Sequence, residues 1–193
     1  MRGAANPYTK IPMDRREAKP GEQIFLFKVI QSDYEGKVRG HPYRIFAIPE
    51  RITLFEFAGE ICNAFGLGFD HSFGFYDNIK NFYQSREGYE LFGDNPETWE
   101  GKVRPEFKGV VKTRVNRAFK EAGKKMLFIF DYGDECFLRV ELKEIRDPEP
   151  GIKYPVLEKS EGKAIPHGPE QRLVFRSKKS KIIVSPSFVD DFP

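Results

Sequence analysis

Residues Met126–Pro155 read MLFIFDYGDECFLRVELKEIRDPEPGIKYP, and the fold follows from how this stretch divides. Met126-Leu127-Phe128-Ile129-Phe130 has no polar member, the pattern of a strand buried on both faces. Cys136, Leu138, Val140 and Leu142 then alternate with Phe137, Arg139, Glu141 and Lys143, as in a strand with one wet face. Asp131-Tyr132-Gly133-Asp134-Glu135 supplies the turn between them. The stretch therefore predicts an interior strand, a tight turn, a partner strand and a Pro/Gly-punctuated exit.

Upstream, Gln23–Ile30 (QIFLFKVI) and Tyr43–Ile48 (YRIFAI) read as two strands separated by a long turn at Gly36 and Gly40. Thr53 and Glu56 then form a T-x-x-E capping box, with Ile52 placed to staple onto Phe57. Leu54, Phe57, Ala58, Ile61 and Phe65 recur at helical spacing, and Gly66 stops the helix. Phe73–Asp77 reads as a third strand. Residues 78–110 lose periodicity and read as an aromatic-rich insertion. Thr113 is expected to cap a short helix running to about Lys120 and ending near Gly123. Leu173-Val174-Phe175 and Ile182-Ile183-Val184 are expected to form a last hairpin around Lys178-Lys179.

This order predicts an α+β domain: a single mixed or antiparallel sheet with one main helix packed on it, β-grasp-like in its chain order. The expected organisation is an N-terminal tail over 1–20, the domain over 21–158, and a C-terminal extension over 159–193. Nineteen Phe, eight Tyr and one Trp predict a Phe-rich core. The net charge of +3 excludes a histone-like polycation and permits a local basic patch. Two cysteines, Cys62 and Cys136, read as buried thiols in a reducing compartment. With no signal-peptide h-region and no run of membrane-spanning length, the expectation is a soluble cytoplasmic protein.

Several segments together carry a family resemblance. Ile48-Pro49, Ile52-Thr53-Leu54, the amphipathic helix and Phe65-Gly66 resemble the opening half of the Ri-plasmid ORF-three-like family. Asp70-His71 with Phe73 and Phe75 fits its next segment. Phe128–Asp134 is similar to its strongest motif, an aromatic strand ending in Asp-aromatic-Gly-Asp, and P-E-P-G-I-K-Y-P over Pro148–Pro155 to its Pro-Gly-x-x-Tyr-Pro exit. The resemblance covers roughly residues 22 to 158. It implies a small α+β domain, bacterial or archaeal, loosely associated with mobile elements and sometimes described as an insertion-element passenger, and it implies no reaction. Cys136-Phe137-Leu138 stand where many relatives carry a Trp, an acidic residue and a His. Ile165–Glu170 (IPHGPE) lacks the cysteine of their Pro-Pro-Glu-Asp-Cys-Gly-Gly stretch, so any site those residues build in relatives does not carry over.

The residues offer three candidate surfaces. Asp70, His71, Asp131, Tyr132 and Asp134 would form a polar site if the fold closes them together, although Asp in such bends ordinarily holds backbone amides. Scattered histidines, the lack of a C-x-x-C, and the absence of a nucleophile elbow or phosphate loop predict no metal, no cofactor and no catalytic residues. The segment 102–125 carries nine cations against Glu106 and Glu121, an excess of seven, with Trp99, Phe107 and Phe119 interleaved. Lys102, Arg104, Lys112, Arg114, Arg117 and Lys120 are its candidate nucleic-acid contacts. Phe82, Tyr83, Tyr89, Phe92 and Trp99 form either a surface for a protein partner or a satellite core, and core is the better fit. The reading is a non-enzymatic binding or accessory module. A nucleic-acid-associated protein of a mobile element and a hydrolase using the Asp/His turns are the alternatives.

Overall fold

The computed structural model describes residues 14–32, 37–94 and 107–164. The strands in chain order are β1 (Arg16–Glu17), β2 (Ile24–Gln31), β3 (Tyr43–Pro49), β4 (Phe73–Tyr76), β5 (Gly88–Glu90), β6 (Lys108–Gly109), β7 (Lys125–Phe130), β8 (Cys136–Arg146), β9 (Lys153–Tyr154) and β10 (Val156–Glu161). The helices are α1 (Leu54–Phe65) and the four-residue α2 (Val115–Ala118). Eight strands form one sheet in the order β10-β3-β2-β8-β7-β4-β5-β6, and β1 pairs with β9 in a second, two-stranded sheet. Every neighbouring pair is antiparallel apart from β5 and β6. The fold is mixed α+β, dominated by strands.

The apolar pentapeptide occupies the interior strand β7, between β8 and β4, with Met126–Phe130 buried throughout. Its two-faced burial needs cover on both sides of the sheet, and two unequal layers supply it. On one side α1 and α2 close over Phe27, Phe46, Phe75, Phe128 and Leu138. Phe27 meets Phe57 of α1 at 4.7 Å between ring centroids and Phe119 at 4.9 Å, while Phe75 meets Phe128 at 4.8 Å. Each ring removed from water stabilises the fold by about 1.5–3 kcal/mol. The other side carries two small clusters, one around Tyr76, Phe107, Leu127 and Ile129, the other around Ile24, Ala47 and Tyr154. Between them the sheet face is open.

Helix α1 begins as its capping box dictates. Thr53 Oγ1 accepts from the Glu56 amide at 3.2 Å, and Glu56 Oε2 accepts from the Thr53 amide at 2.7 Å. Gly66 ends it in the left-handed region at φ 69°, ψ 27°. The last turn holds no basic residue, and Arg44 of β3 fills that role. Its Nε donates to the Ala64 carbonyl at 3.0 Å, and its Nη1 donates to the carbonyls of Glu161 and Gly162 at 3.0 and 3.2 Å. One buried guanidinium thus ties the helix C-terminus to the end of β10.

Three local expectations need correction. Thr113 does not cap α2: its hydroxyl donates back to the Gly109 carbonyl at 2.6 Å, closing a turn, and Arg114 takes the N-cap position without a side-chain bond. The helix then stops at Ala118, because Phe119 is pulled into the core in extended geometry. Residues 78–110 are no mere insertion, since β5 and β6 extend the main sheet. Within that stretch Tyr89 is buried, Phe82 packs on the Tyr76 cluster, Phe92 is half-buried, and Tyr83 is 65% exposed. The polar strand β10 was not anticipated from the sequence, and it carries the sheet to Glu161. Trp99 and the expected 173–184 hairpin lie outside the described residues. No helix among the described residues is long and apolar enough to cross a membrane.

Candidate functional site

The register of β4 against β7 pairs Phe73 with Phe130, so the residue before one meets the residue after the other. The Asp131 amide accordingly donates to the Ser72 carbonyl at 2.9 Å. This closure brings the Asp70-His71 turn to the Asp131 turn. His71 Nε2 lies 3.6 Å from Asp131 Oδ2 and 3.7 Å from Asp70 Oδ1, and its ring meets Phe130 edge-on. A groove of about 350 Å³ beside it is lined by Phe55, Phe69, Phe73 and Leu91.

The turn itself divides its polar groups between two tasks. Asp131 sits at φ 56°, a left-handed position that Asp tolerates, and its Oδ1 accepts from the Gly133 amide at 2.9 Å and the Asp134 amide at 3.4 Å. Tyr132 turns to the other face of the sheet. Its hydroxyl lies 2.5 Å from the Tyr76 hydroxyl, which donates to Glu90 Oε1 at 2.7 Å. Burial, and then each other's proximity, pushes the Tyr76 phenol far above its ordinary range, and burial raises Tyr132 as well. Gly74 lies beneath both phenols, where a Cβ would come within 2.7 Å of each oxygen. Asp70, His71 and Asp131 therefore converge, and Tyr132 does not join them. Asp134 is held at the turn through its amide.

Cys62 and Cys136 are free, buried thiols near this end of the sheet. Burial raises both, Cys136 to about 12 and Cys62 well above its usual value, so neither is poised as a thiolate. Among the described residues no group of three His, Cys, Asp or Glu side chains is arranged to hold a metal ion.

The basic segment resolves into a surface beside the start of α1. The Leu54 amide donates to the Thr113 carbonyl at 2.8 Å and the Val115 amide to the Ile52 carbonyl at 2.8 Å, which seats α2 against that loop. Lys112, Arg114, Arg117 and Lys120 are exposed there and make no ion pair among the described residues. Lys124 instead pairs with Glu87 at 2.7 Å, and Lys125 approaches Glu141 at 3.9 Å. Lys102 and Arg104 lie outside the described residues.

A second cationic surface was missed from the sequence. On the open face of the sheet, Lys28, Arg139, Arg39 and Lys163 border a cleft of about 850 Å³, with His41, Tyr43 and a single lining carboxylate, Glu161. Strand alternation explains the first two. Lys28 lies between the core residues Phe27 and Val29, and Arg139 between Leu138 and Val140, so both must emerge opposite α1. Register then gathers them, since Ile30 pairs with both Tyr43 and Arg139. The sequence signal was a lone cation, Lys28, in the apolar strand β2, and Arg139 on the polar side of the alternating strand β8.

A family model for plasmid pRiA4b ORF-3-like proteins matches residues 36–170. The chain belongs to this family. The ORF-3-like motif ending in Asp-aromatic-Gly-Asp is the turn just described, with Asp131 holding the bend and Tyr132 anchoring it. The ORF-3-like Pro-Gly-x-x-Tyr-Pro exit also has a packing role. Gly151 turns the chain at φ 77°, and Tyr154 is buried against Ile24 and Ala47 while its hydroxyl accepts from the Glu149 amide at 3.0 Å. No curated protein matches the chain. Among solved structures it is similar to the crystal structure of MM3350, a protein of unknown function from Methanosarcina mazei Go1. That likeness has a TM-score of 0.62 at 16% identity, covers 83% of each chain, and shows a shared fold.

Proposed function

We propose that this ORF-3-like protein is a non-enzymatic binding module, and that its ligand is an anion held in the open-face cleft. The observation that carries this reading is the charge of the cleft. Lys28, Arg39, Arg139 and Lys163 surround it, and none of the four takes part in an ion pair among the described residues. Glu141, the cross-strand neighbour of Lys28, is instead approached by Lys143 at 3.1 Å and Lys125 at 3.9 Å. Cations gathered on a concave surface of ligand size concentrate anions.

The Asp/His turns fit a structural role better than hydrolysis. Asp131 holds two turn amides, and Tyr132 leaves for the opposite face. A reducing, cytoplasmic setting accords with the two buried free thiols. The β-grasp likeness and the link with mobile elements remain part of the proposal.

A second reading has its own observation. Lys112, Arg114, Arg117 and Lys120, exposed together, suit sequence-independent contact with nucleic-acid phosphates. Retention on immobilised heparin over a salt series separates the two surfaces. Under our reading, Lys28→Gln/Arg139→Gln elutes at markedly lower salt, whereas Arg114→Gln/Arg117→Gln/Lys120→Gln elutes near the wild type. The reverse pattern would transfer the function to the α2 surface.

A further inference from the structure

Resting on the anion-binding reading of this same cleft, we infer that its ligand is a nucleoside phosphate, free or at the end of a single strand. The cleft is layered. Its floor is apolar, formed by the buried side chains of Ile30 and Pro42 with Val38 beside them. Lys28 and Arg139 stand half-buried in that floor, whereas Arg39 and Lys163 are exposed on the rim. An inorganic anion would use the cations and leave the floor empty. A flat apolar body carrying two or more negative charges uses both.

Arg139 is the cation in this cleft best suited to meet a phosphate. Its Nε is buried and has no hydrogen-bond acceptor among the described residues. A guanidinium is a planar fork that matches phosphate oxygens two at a time, and a buried donor left without an acceptor is costly. Lys28 is oriented by a neighbour, with its Nζ 4.2 Å from the Tyr43 ring centroid. Tyr43 is thus already covered by a cation, which leaves the Ile30 and Pro42 floor for a base. The volume of about 850 Å³ lies in the range of small-molecule sites and accommodates a nucleotide.

The walls are built to meet. Gly40 and Gly162 have φ of +74° and +73°, which turns the two bordering loops. A Cβ on Gly162 would also meet Pro42 at 3.2 Å. Glu161, the one lining carboxylate, has its Oε2 3.6 Å from Lys159 Nζ, which reduces its repulsion of an incoming anion.

Titration calorimetry on the full chain at fixed ionic strength tests this with four probes: ATP, inorganic tripolyphosphate, adenosine and a short oligothymidylate. We expect ATP to bind about tenfold or more tighter than tripolyphosphate, and adenosine to bind weakly. Arg139→Gln should reduce ATP affinity by about tenfold, the loss of one charge-assisted hydrogen-bonding partner. The exposed Arg39→Gln should also weaken binding, with the fold checked by circular dichroism. An oligothymidylate binding more tightly than ATP, with the same sensitivity to Arg139→Gln, supports the inference and makes a strand the source; the opposite order supports it with the free nucleotide. Tripolyphosphate binding as tightly as ATP overturns the inference and leaves the anion-binding reading intact. If no anionic probe binds, both fall.

Discussion

Replacing Gly74 by Ala tests the structural role assigned to the Asp-Tyr-Gly-Asp turn. The added Cβ would lie 2.7 Å from the Tyr132 and Tyr76 hydroxyls and 2.9 Å from Tyr76 Cζ. Neither ring retreats easily, because Tyr76 is fully buried and held by Glu90, and β4 is locked between β5 and β7. Overpacking of this kind costs about 1–3 kcal/mol. Losing the Tyr76–Tyr132 hydrogen bond adds about 1 kcal/mol. Relief from glycine's unfolded-state entropy returns about 0.5–1 kcal/mol. The net loss is about 1–3.5 kcal/mol, a fall in Tm of roughly 2–14 °C for a domain of this size. Urea unfolding measures it as a lower midpoint at unchanged slope. In a Tyr132→Phe background one clashing oxygen and the hydrogen bond are already gone, so Gly74→Ala should cost about 1 kcal/mol less there. A Gly74→Ala variant within about 0.5 kcal/mol of the wild type, or costs that simply add, would refute this account of the motif.

Two further outcomes follow from buried charge. Arg44→Ala should cost about 2–4 kcal/mol, because the Ala64, Glu161 and Gly162 carbonyls lose their shared donor, and faster amide exchange along β10 should accompany it. Glu22 is buried; burial opposes its ionisation, but two bonds from Arg16 at 2.7 and 2.9 Å and one from the Lys19 amide at 2.9 Å hold its carboxyl below the ordinary 4.5. A lowered folded-state value means stabilisation that is complete above pH 4.5 and lost as pH falls through the lower value. Glu22→Gln should therefore cost about 2 kcal/mol at pH 7, and in urea melts against pH the gap to the wild type should close below pH 4.5.

The elements legible in the sequence were those whose cause is local. The capping box of Thr53 and Glu56, the glycine stop at Gly66 and the apolar run before Asp131 each depend on near neighbours, and each stands where it was read. What escaped depends on pairing between distant segments. Strand β10 is polar after Val156 and Leu157 and is a strand because β3 offers an edge, with Arg44 securing its end. Thr113 is a local exception: its hydroxyl had two nearby uses, and it closes a turn onto the Gly109 carbonyl instead of capping α2. The convergence of His71 with Asp131 was open in the sequence, because it required β4 to lie beside β7. The cationic cleft was the least visible feature, since Lys28, Arg39, Arg139 and Lys163 come from four separate stretches, Lys28 and Arg139 meeting through cross-strand register and Arg39 and Lys163 arriving on the loops beside β3 and β10.

Amide chemical-shift mapping of the full chain during titration with ATP addresses the functional claim most directly. Saturable shifts concentrated at Lys28, Ile30, Arg39, Tyr43 and Arg139, and abolished by Lys28→Gln/Arg139→Gln, are the predicted result. Shifts centred instead on Lys112–Lys120 or on the groove beside His71, with the open face silent, would contradict it.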